Sequence, residues 1–447
     1  MSWYDKAVFY HIYPLGLCGA PKQNDGGEVV ERMAVLKQWI PHILETGCNA
    51  VYLGPVFESV GHGYETTDYK TVDRRLGTNE TLKEFVAACH ENGIHVILDG
   101  VFNHSGRCFF AFEDIQKNRE NSKYINWYCN INFGGNNEYN DGFSYDNWGG
   151  YNLMAKFNQR NPEVSDYLCD VIRFWVKEFD IDGLRLDAAD VLDFDFMKKL
   201  RQLANEVKPE FWLMGEVIHG DYSRWVNQET LHSVTNYQLH KALYSGHNDH
   251  NYFEIAHNVK YVYGQLANSG GSLELYSFVD NHDVNRLASK ITNKAHLVPI
   301  YMLLYTLPGI PSLYYGSEFG IEGIKENGSD DGIRPEIKIE DIDKMDQSLM
   351  KLLGQLGKLR QESDALACGK YEERMLTNRQ YAFARVSDAD SVLVVVNNDE
   401  KEVSVSLEIR SGGEEVLDVL SGEKVKVENG RIDVTLAPCS GKIFRTI

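Results

Sequence analysis

The sequence predicts an α/β protein: a (β/α)8 TIM barrel with a small irregular domain inserted after the third strand and a C-terminal antiparallel β-sandwich domain. Three observations predict it. Up to residue 363, short runs that are apolar on both faces alternate with helical patterns, which is typical of a parallel sheet. The alternation is interrupted once, and near residue 364 it gives way to period-two alternation. The predicted domains are therefore 1–104 with 159–364, 105–158, and 365–447.

The barrel is predicted from its count of strands and intervening helices. The predicted strands cover 8–13, 50–57, 95–101, 183–188, 211–217, 233–237, 275–280 and 310–315. Helical patterns cover 28–45, 78–92, 193–207, 252–267, 295–306 and 345–363, and another begins at Pro162 after Asn161, a favourable N-cap. A doubly wound open sheet is the structural alternative. Its dinucleotide-binding version has no support, because no Gly-x-Gly-x-x-Gly opens a helix after a strand.

The two other regions differ in composition from the barrel. Residues 105–158 are rich in Asn, Gly, Tyr and Trp, and they are too long for an ordinary loop. After residue 380, alternating runs at 381–386, 391–396 and 403–407 are separated by Asn-Asn-Asp (397–399) and Ser-Gly-Gly (411–413) turns. This pattern indicates antiparallel strands.

Composition limits the classes of partner. The net charge is −20 and the sequence has no basic stripe, which argues against nucleic acid and anionic membrane surfaces. No signal peptide and no stretch of membrane-spanning length is recognisable. The eight cysteines are scattered without a Cys-x-x-Cys pair, so free thiols in a reducing cytoplasm are expected.

Charged side chains collect where predicted strands end. Asp99 lies near the end of strand three, Arg185 and Asp187 on strand four, Glu216 after strand five and Asp283 after strand seven. Any one of them could be a structural cap or ion pair. Together they would lie at the C-terminal face of one barrel, where that fold has its active sites, and gathered carboxylates repel one another. With no Ser-His pair, this set suits glycoside hydrolysis, which needs one carboxylic acid and one carboxylate.

Four ordered motifs resemble those of the α-amylase family of glycoside hydrolases. They are Asp99-Gly-Val-Phe-Asn-His104, Gly183-Leu-Arg-Leu-Asp187, Gly215-Glu216 and Asn281-His-Asp283. The resemblance covers residues 1 to about 360, and the β domain follows where the family usually has one. It implies that Asp187 is the nucleophile, supported by Arg185, that Glu216 is the general acid/base, and that Asp283 stabilises the transition state.

The resemblance also implies substrate contacts. His104 and His282 should hydrogen-bond hydroxyls of the reacting sugar. The motif His62-Gly-Tyr64 resembles the family's loop after strand two, whose tyrosine stacks on that sugar; by itself, Tyr64 is better explained as a packing residue. Asp330 and Arg334 resemble the pair that holds the next sugar.

Met154-Ala-Lys-Phe-Asn158 resembles the Met-Pro-Lys-Leu-Asn signature of the neopullulanase, cyclomaltodextrinase and maltodextrin-hydrolase branch, with Ala155 in place of proline. That branch usually has an additional N-terminal β domain used in dimerisation. The barrel here is expected to begin by residue 8, so the oligomeric state stays open.

The expectation for metals is that no cofactor is required. Extracellular α-amylases often have Lys-His three and four residues after the nucleophile, where they contribute to calcium binding, whereas this sequence has Asp190-Val191. Asn103 remains a candidate Ca²⁺ ligand, and a strand-end hydrogen bond is the alternative.

The resulting hypothesis is a retaining hydrolase that cleaves α-1,4 bonds of maltodextrins and starch-derived oligosaccharides by double displacement. Family alternatives are an α-1,6-glucosidase and a transglycosylase. Ala188, directly after the nucleophile, favours α-1,4, because valine there accompanies α-1,6 specificity in α-glucosidases that resemble this sequence. A catalytically silent binding barrel is the non-enzyme alternative; such proteins usually lack one of the three carboxylates, and all three are present here.

Overall fold

Eight parallel strands form a closed barrel in the computed structural model, which describes residues 1–269, 274–326, 328–410 and 414–446. The strands are β1 (Phe9–Ile12), β2 (Ala50–Leu53), β3 (His95–Gly100), β4 (Gly183–Leu186), β5 (Trp212–Gly215), β6 (Ser233–Val234), β7 (Tyr276–Phe278) and β8 (Ile310–Tyr314). Neighbours in the chain pair from β1 to β6, and β8 lies between β7 and β1. A parallel bridge between Thr235 and Tyr276 joins β6 to β7 and closes the ring. The closed ring excludes the open, doubly wound sheet.

Helices surround the barrel. The longer ones are Leu36–Glu45, Asn79–Glu91, Pro162–Phe179, Phe194–Val207, Tyr237–Asn248, Tyr252–Ser269, Leu297–Thr306 and Met350–Glu362. The helix at Pro162 begins as predicted, since the Asn161 side chain accepts a hydrogen bond from the Glu163 amide. None of the helices in the described ranges is long and apolar enough to cross a membrane.

Three predicted elements were wrong in their extent. β2 ends at Leu53 rather than at residue 57, because Gly54 and Pro55 interrupt it and proline has no amide hydrogen for the ladder. The strand Phe57–Ser59 that follows pairs antiparallel with Thr66–Val72. The helix predicted from residue 28 begins at Leu36, after a 3-10 turn. β6 is only two residues long, and the helix Tyr237–Asn248 was not predicted.

The inserted region is more regular than expected. It contains the helix Phe110–Asn118 and a three-stranded antiparallel sheet of His104–Gly106, Tyr151–Lys156 and Asn147–Trp148. The first of these strands follows closely after β3, so the small sheet stands beside the C-terminal end of the barrel.

The C-terminal strands form a six-stranded antiparallel sheet and a two-stranded sheet that share one apolar core. The strands are Lys370–Leu376, Gln380–Val386, Ser391–Asn397, Glu415–Asp418, Lys424–Lys426 and Ser440–Thr446 in the first sheet, and Val403–Glu408 with Arg431–Leu436 in the second. Leu393 and Phe444 of the first sheet pack with Leu407 and Val434 of the second. The predicted turn at 411–413 lies outside the described residues.

The barrel interior is apolar at its base and polar at its C-terminal end. At the base, the ring of Trp212 stacks on Phe9 with centroids 5.2 Å apart. Along β4, Leu184 and Leu186 belong to the core cluster under the surrounding helices, and Arg185 between them points into the barrel. The charged end of the barrel therefore rests on a packed apolar floor.

Candidate active site

Arg185 is the centre of the site. It lies opposite Asp99 in the β3–β4 register, and its Nη1 is 2.9 and 3.1 Å from the two Asp99 carboxylate oxygens. The same Nη1 is 2.8 Å from Asp187 Oδ1, and Nη2 is 2.9 Å from Glu216 Oε2. The Arg185 side chain is only 3% exposed. One buried cation therefore holds three carboxyl groups that come from the ends of three neighbouring strands.

Two of these carboxyl groups favour a bound proton. Burial raises the pKa of Asp187 well above its usual range; the Arg185 guanidinium opposes this effect, and Glu216 adds to it. Burial likewise raises the pKa of Glu216, against the opposing charge of Arg185. Since one guanidinium cannot neutralise three carboxylates, the raised pKa values of Asp187 and Glu216 belong to the pair rather than to either residue alone.

The two oxygens of Glu216 have different surroundings. Oε2 accepts hydrogen bonds from Arg185 Nη2 and, across 3.0 Å, from the backbone amide of Ala188. Oε1 faces the Tyr237 hydroxyl at 3.5 Å. A proton on Glu216 is therefore placed on Oε1, because both donors already occupy Oε2.

The pKa of Asp283 is shifted in the opposite direction to those of Asp187 and Glu216. Burial acts to raise its pKa, but the charges of His282 and Arg334 outweigh this and hold the pKa well below its usual range. His282 Nε2 lies 2.9 Å from Asp283 Oδ2, and Arg334 Nη2 lies 2.9 Å from Oδ1. Arg334 also pairs with Asp330 at 2.7 Å. Asp283 is therefore held as a carboxylate by neighbours that also fix its orientation.

The residues predicted to contact sugar surround this cluster. The Tyr64 hydroxyl donates to Asp99 Oδ2 across 3.0 Å and contacts His282 Nε2, and its ring lies nearly parallel to that of His282. His62 pairs with Glu65 at 3.1 Å. The structure thus brings Tyr64 and His282 together with the carboxylates and places His62 next to Tyr64.

His104 is buried and uses both ring nitrogens within the protein. Its Nε2 donates to the Tyr64 carbonyl across 3.0 Å, and its Nδ1 accepts from Asn103 Nδ2 across 3.2 Å. Burial lowers the pKa of His104 to about 4, so the ring is neutral at pH 7. A sugar hydroxyl would have to replace one of these two contacts.

Comparison with known proteins places the chain in a family. The family described as "Alpha amylase, catalytic domain" matches residues 33–364, and "Maltogenic Amylase, C-terminal domain" matches residues 375–443. The chain belongs to the α-amylase family. It is an enzyme, a glycoside hydrolase, as the resemblance implied.

Individual relatives of this α-amylase-family hydrolase agree. It is 33% identical to a cyclomaltodextrinase of Bacillus sp. over an alignment of 427 residues. The alignment covers 89% of this chain and 74% of the relative. It is 31% identical over 479 residues to neopullulanase 2 of Thermoactinomyces vulgaris, with 99% and 78% covered. Among solved structures, a cyclomaltodextrinase superposes with a TM-score of 0.87 at 28% identity, covering 99% and 78%. An acarbose-soaked debranching enzyme of Nostoc punctiforme gives 0.83 at 28% identity, covering 100% and 99%.

Asn103 is the candidate Ca²⁺ ligand, and that assignment stays a prediction. Its Oδ1 is buried and has no hydrogen-bond partner among the described residues, and an amide oxygen is a suitable Ca²⁺ ligand. Calcium, however, requires six to eight oxygen ligands. In the described part of the chain, no three His, Cys, Asp or Glu side chains come together to hold a metal.

Several residues of the site had no individual role assigned from the sequence. Asp99 is the bidentate partner of Arg185, and Tyr52 donates to Asp99 Oδ2 across 2.7 Å. Asn281 donates through Nδ2 to the Tyr237 hydroxyl across 3.2 Å and accepts the Asp283 amide across 2.8 Å. Asp99 and Asn281 lie within the motifs that resemble the α-amylase family, so their positions in the sequence could have identified them. Tyr237 lies at the start of the helix that was not predicted, and no sequence motif pointed to it.

Proposed function

We propose that this hydrolase cleaves α-1,4-glucosidic bonds of maltodextrins with retention of configuration. The observation that carries the proposal is that Asp187 and Glu216 each bind one nitrogen of the same guanidinium, Arg185. Both carboxyl groups therefore lie on one side of the barrel mouth and close together. Retention needs a separation of about 5–5.5 Å, whereas inversion needs room for a water between the carboxyl groups.

The contacts support a division of labour. Glu216 Oε1, the oxygen away from Arg185, gives its proton to the glycosidic oxygen as the bond to the anomeric carbon breaks. Asp187 Oδ1 is held by Arg185, which leaves Oδ2 to attack that carbon and form the glycosyl ester. Glu216, now ionised, removes a proton from a water molecule. The oxygen of that water bonds to the anomeric carbon and displaces the Asp187 carboxylate. Asp283, ionised throughout, stabilises the positive charge that develops on the sugar.

The substrate class is supported by relatives named cyclomaltodextrinase, maltogenic α-amylase and neopullulanase, which are 30–33% identical to this chain. Hydrolysis of α-1,6 bonds is the second candidate, since a debranching enzyme matches the chain over nearly its whole length. A cytoplasmic location is supported by a 28% identical relative named intracellular maltogenic amylase from Bacillus subtilis and by eight free cysteine thiols.

The test is an NMR time course of maltoheptaose hydrolysis by the purified protein, with the Glu216→Gln variant as the control. We expect reducing ends to appear first as the α-anomer, and only with the parent protein. Initial β-anomer would contradict retention. No product from maltoheptaose, pullulan, cyclodextrin or isomaltose would contradict hydrolysis and favour the binding barrel.

A further inference from the structure

A glycine turn at the tip of the inserted sheet presents two aromatic side chains together. The strands Asn147–Trp148 and Tyr151–Lys156 are joined by Gly149 and Gly150, whose φ values are 60° and 87°. Positive φ at both central residues is the requirement of a two-residue hairpin turn of type I′, and glycine meets it without strain. Trp148 and Tyr151 are direct cross-strand partners in this hairpin. Their side chains therefore lie on the same face.

These two rings are open to solvent. Trp148 is 39% exposed and Tyr151 is 61% exposed. Their planes differ by 21° and their centroids are 6.4 Å apart, so the rings present broad faces in nearly the same direction. A single exposed aromatic residue is ordinary, and a cross-strand pair can serve hairpin stability alone. The position of the pair relative to the site decides between these roles.

The pair adjoins the pocket of the reacting sugar. The Trp148 ring centroid is 6.3 Å from that of His104, the histidine that donates to the Tyr64 carbonyl. On the same hairpin, Met154 packs against Tyr64 and Val101. Met154 and Trp148 thus fix the hairpin to residues of the site, and the exposed rings of Trp148 and Tyr151 lie beside that site.

We propose that Trp148 and Tyr151 form a binding platform for a glucosyl unit of the α-glucan chain beyond the reacting sugar. A pyranose ring has polar edges and an apolar C–H face, which fits flat on an aromatic ring. The platform carries no charge, as suits a neutral substrate. The contact between the two rings orders them before binding, which limits the entropy lost when the sugar docks. This inference rests on the proposed function.

Binding without turnover tests the platform. In the Glu216→Gln background, Trp148→Ala and Tyr151→Ala should each weaken maltoheptaose binding, measured by calorimetry. We expect about a tenfold increase in Kd for Trp148→Ala, the size of a lost stacking contact. Trp148→Phe should restore most of the affinity. Tyr261→Ala is the matched control, because Tyr261 is 52% exposed on the outer helix Tyr252–Ser269 and its loss should leave Kd unchanged.

With Glu216 intact, Trp148→Ala should lower kcat/KM on maltoheptaose but leave an aryl α-glucoside, which has a single sugar, within about twofold. Equal loss on both substrates would mean that the hairpin only shapes the catalytic pocket and would overturn the platform. Unchanged maltoheptaose affinity in both alanine variants would overturn it as well. If the Glu216→Gln protein binds no maltoheptaose at all, the proposed function fails, and the platform with it.

Discussion

The backbone amide of Ala188 donates a hydrogen bond to Oε2 of Glu216 although Ala188 has left-handed backbone angles, φ 47° and ψ 43°. This conformation costs a non-glycine residue of order 1 kcal/mol, and it persists only where the surroundings enforce it. Here it turns the backbone amide of Ala188, the residue after Asp187, toward Glu216. The peptide unit between Asp187 and Ala188 therefore connects Asp187 directly to Glu216 through this hydrogen bond.

The three carboxylates are expected to be indispensable. Asp187→Asn, Glu216→Gln and Asp283→Asn should each leave the circular dichroism spectrum unchanged and lower kcat on maltoheptaose by orders of magnitude. Because the residues act as a unit, an Asp187→Asn/Glu216→Gln double variant should be little worse than Asp187→Asn alone. A variant that keeps activity within about tenfold of the parent would show that its assigned role is wrong.

Asp182→Asn is the matched control for these substitutions. Asp182 is a buried carboxylate directly before β4, paired with His90 at 2.9 Å and with Lys208 at 2.9 Å, at the opposite end of the strand from the site. Its loss should lower the melting temperature and leave kcat per folded molecule unchanged.

Arg185 should not be replaceable by lysine. A guanidinium reaches Asp99, Asp187 and Glu216 through two nitrogens, whereas an ammonium is a single point charge on a flexible stem. Arg185→Lys should therefore lower kcat by about a hundredfold or more, because both catalytic carboxyl groups lose their fixed geometry. Arg360→Lys is the control: Arg360 is equally buried but lies away from the site, where it donates to the backbone carbonyls of Asp5 and Leu366 and pairs with Glu274 at 3.2 Å. Comparable losses of kcat in the two variants would point to a general packing effect.

The sequence predicted all eight barrel strands because most of them are short apolar runs, a local property; the exception is β6, which begins Ser-Val-Thr and was predicted too long. It missed features that depend on the tertiary structure. The helix Tyr237–Asn248 directly follows the short strand β6, and the predicted strand was extended over its first residue. Between β5 and β6, where a barrel usually has a long helix, the chain forms only the 3-10 turn Tyr222–Arg224.

The site shows the same limit. The carboxylates could be predicted because motif and strand end coincide at Asp187, Glu216 and Asp283. The pairing of Asp99 with Arg185 depends on the register between β3 and β4. The contact between Tyr237 and Glu216 depends on the parallel pairing of β6 with β5. Neither relationship is encoded in local periodicity.

Glu216→Gln should stabilise the protein at neutral pH. The folded pKa of Glu216 is raised above its unfolded value of about 4.3, so its contribution to stability is present below that pH and is lost as pH rises through the folded pKa. Glutamine removes this loss, while Arg185 keeps Asp99 and Asp187 as partners. Thermal unfolding from pH 3 to 8 should show an advantage of the variant that grows with pH and vanishes near pH 4.

Asp283→Asn should have the opposite pH dependence. The folded pKa of Asp283 is depressed, so its contribution to stability is present above the unfolded value of about 3.9 and is lost only as pH falls through the folded pKa. The variant should therefore melt below the parent at neutral pH, and the deficit should shrink only in acid. If both variants shift the melting temperature in the same direction at pH 7, the assigned electrostatics are wrong.

Calcium should not be obligatory. Asp190-Val191 occupies the place of the Lys-His pair, and the Asn103 amide oxygen has no cluster of carboxylates around it in the described ranges. Exhaustive EDTA treatment should leave most of the activity and shift the melting temperature only slightly. A large drop in both quantities that added CaCl2 restores, and MgCl2 does not, would require a calcium site built from other residues.

Linkage preference is expected to depend on Ala188, which is buried next to both catalytic carboxyl groups. The parent should have higher kcat/KM on maltotriose than on isomaltotriose, because a small side chain leaves room for an α-1,4 aglycone. Ala188→Val should erode the maltotriose activity first, by about 10–200-fold, the range for one or two methyl groups in a pocket. The alternative is that Ala188 is small only because neighbouring residues pack closely around it.

The left-handed backbone decides how this experiment must be measured. Valine is β-branched and tolerates φ of 47° poorly, so Ala188→Val also shifts the amide that binds Glu216 and slows both substrates. The informative quantity is therefore the ratio of kcat/KM for maltotriose to that for isomaltotriose. Ala188→Gly accepts the same backbone angles without a side chain and should keep the ratio of the parent. A parent enzyme that cleaves isomaltotriose as well as or better than maltotriose would move the assignment to α-1,6 bonds.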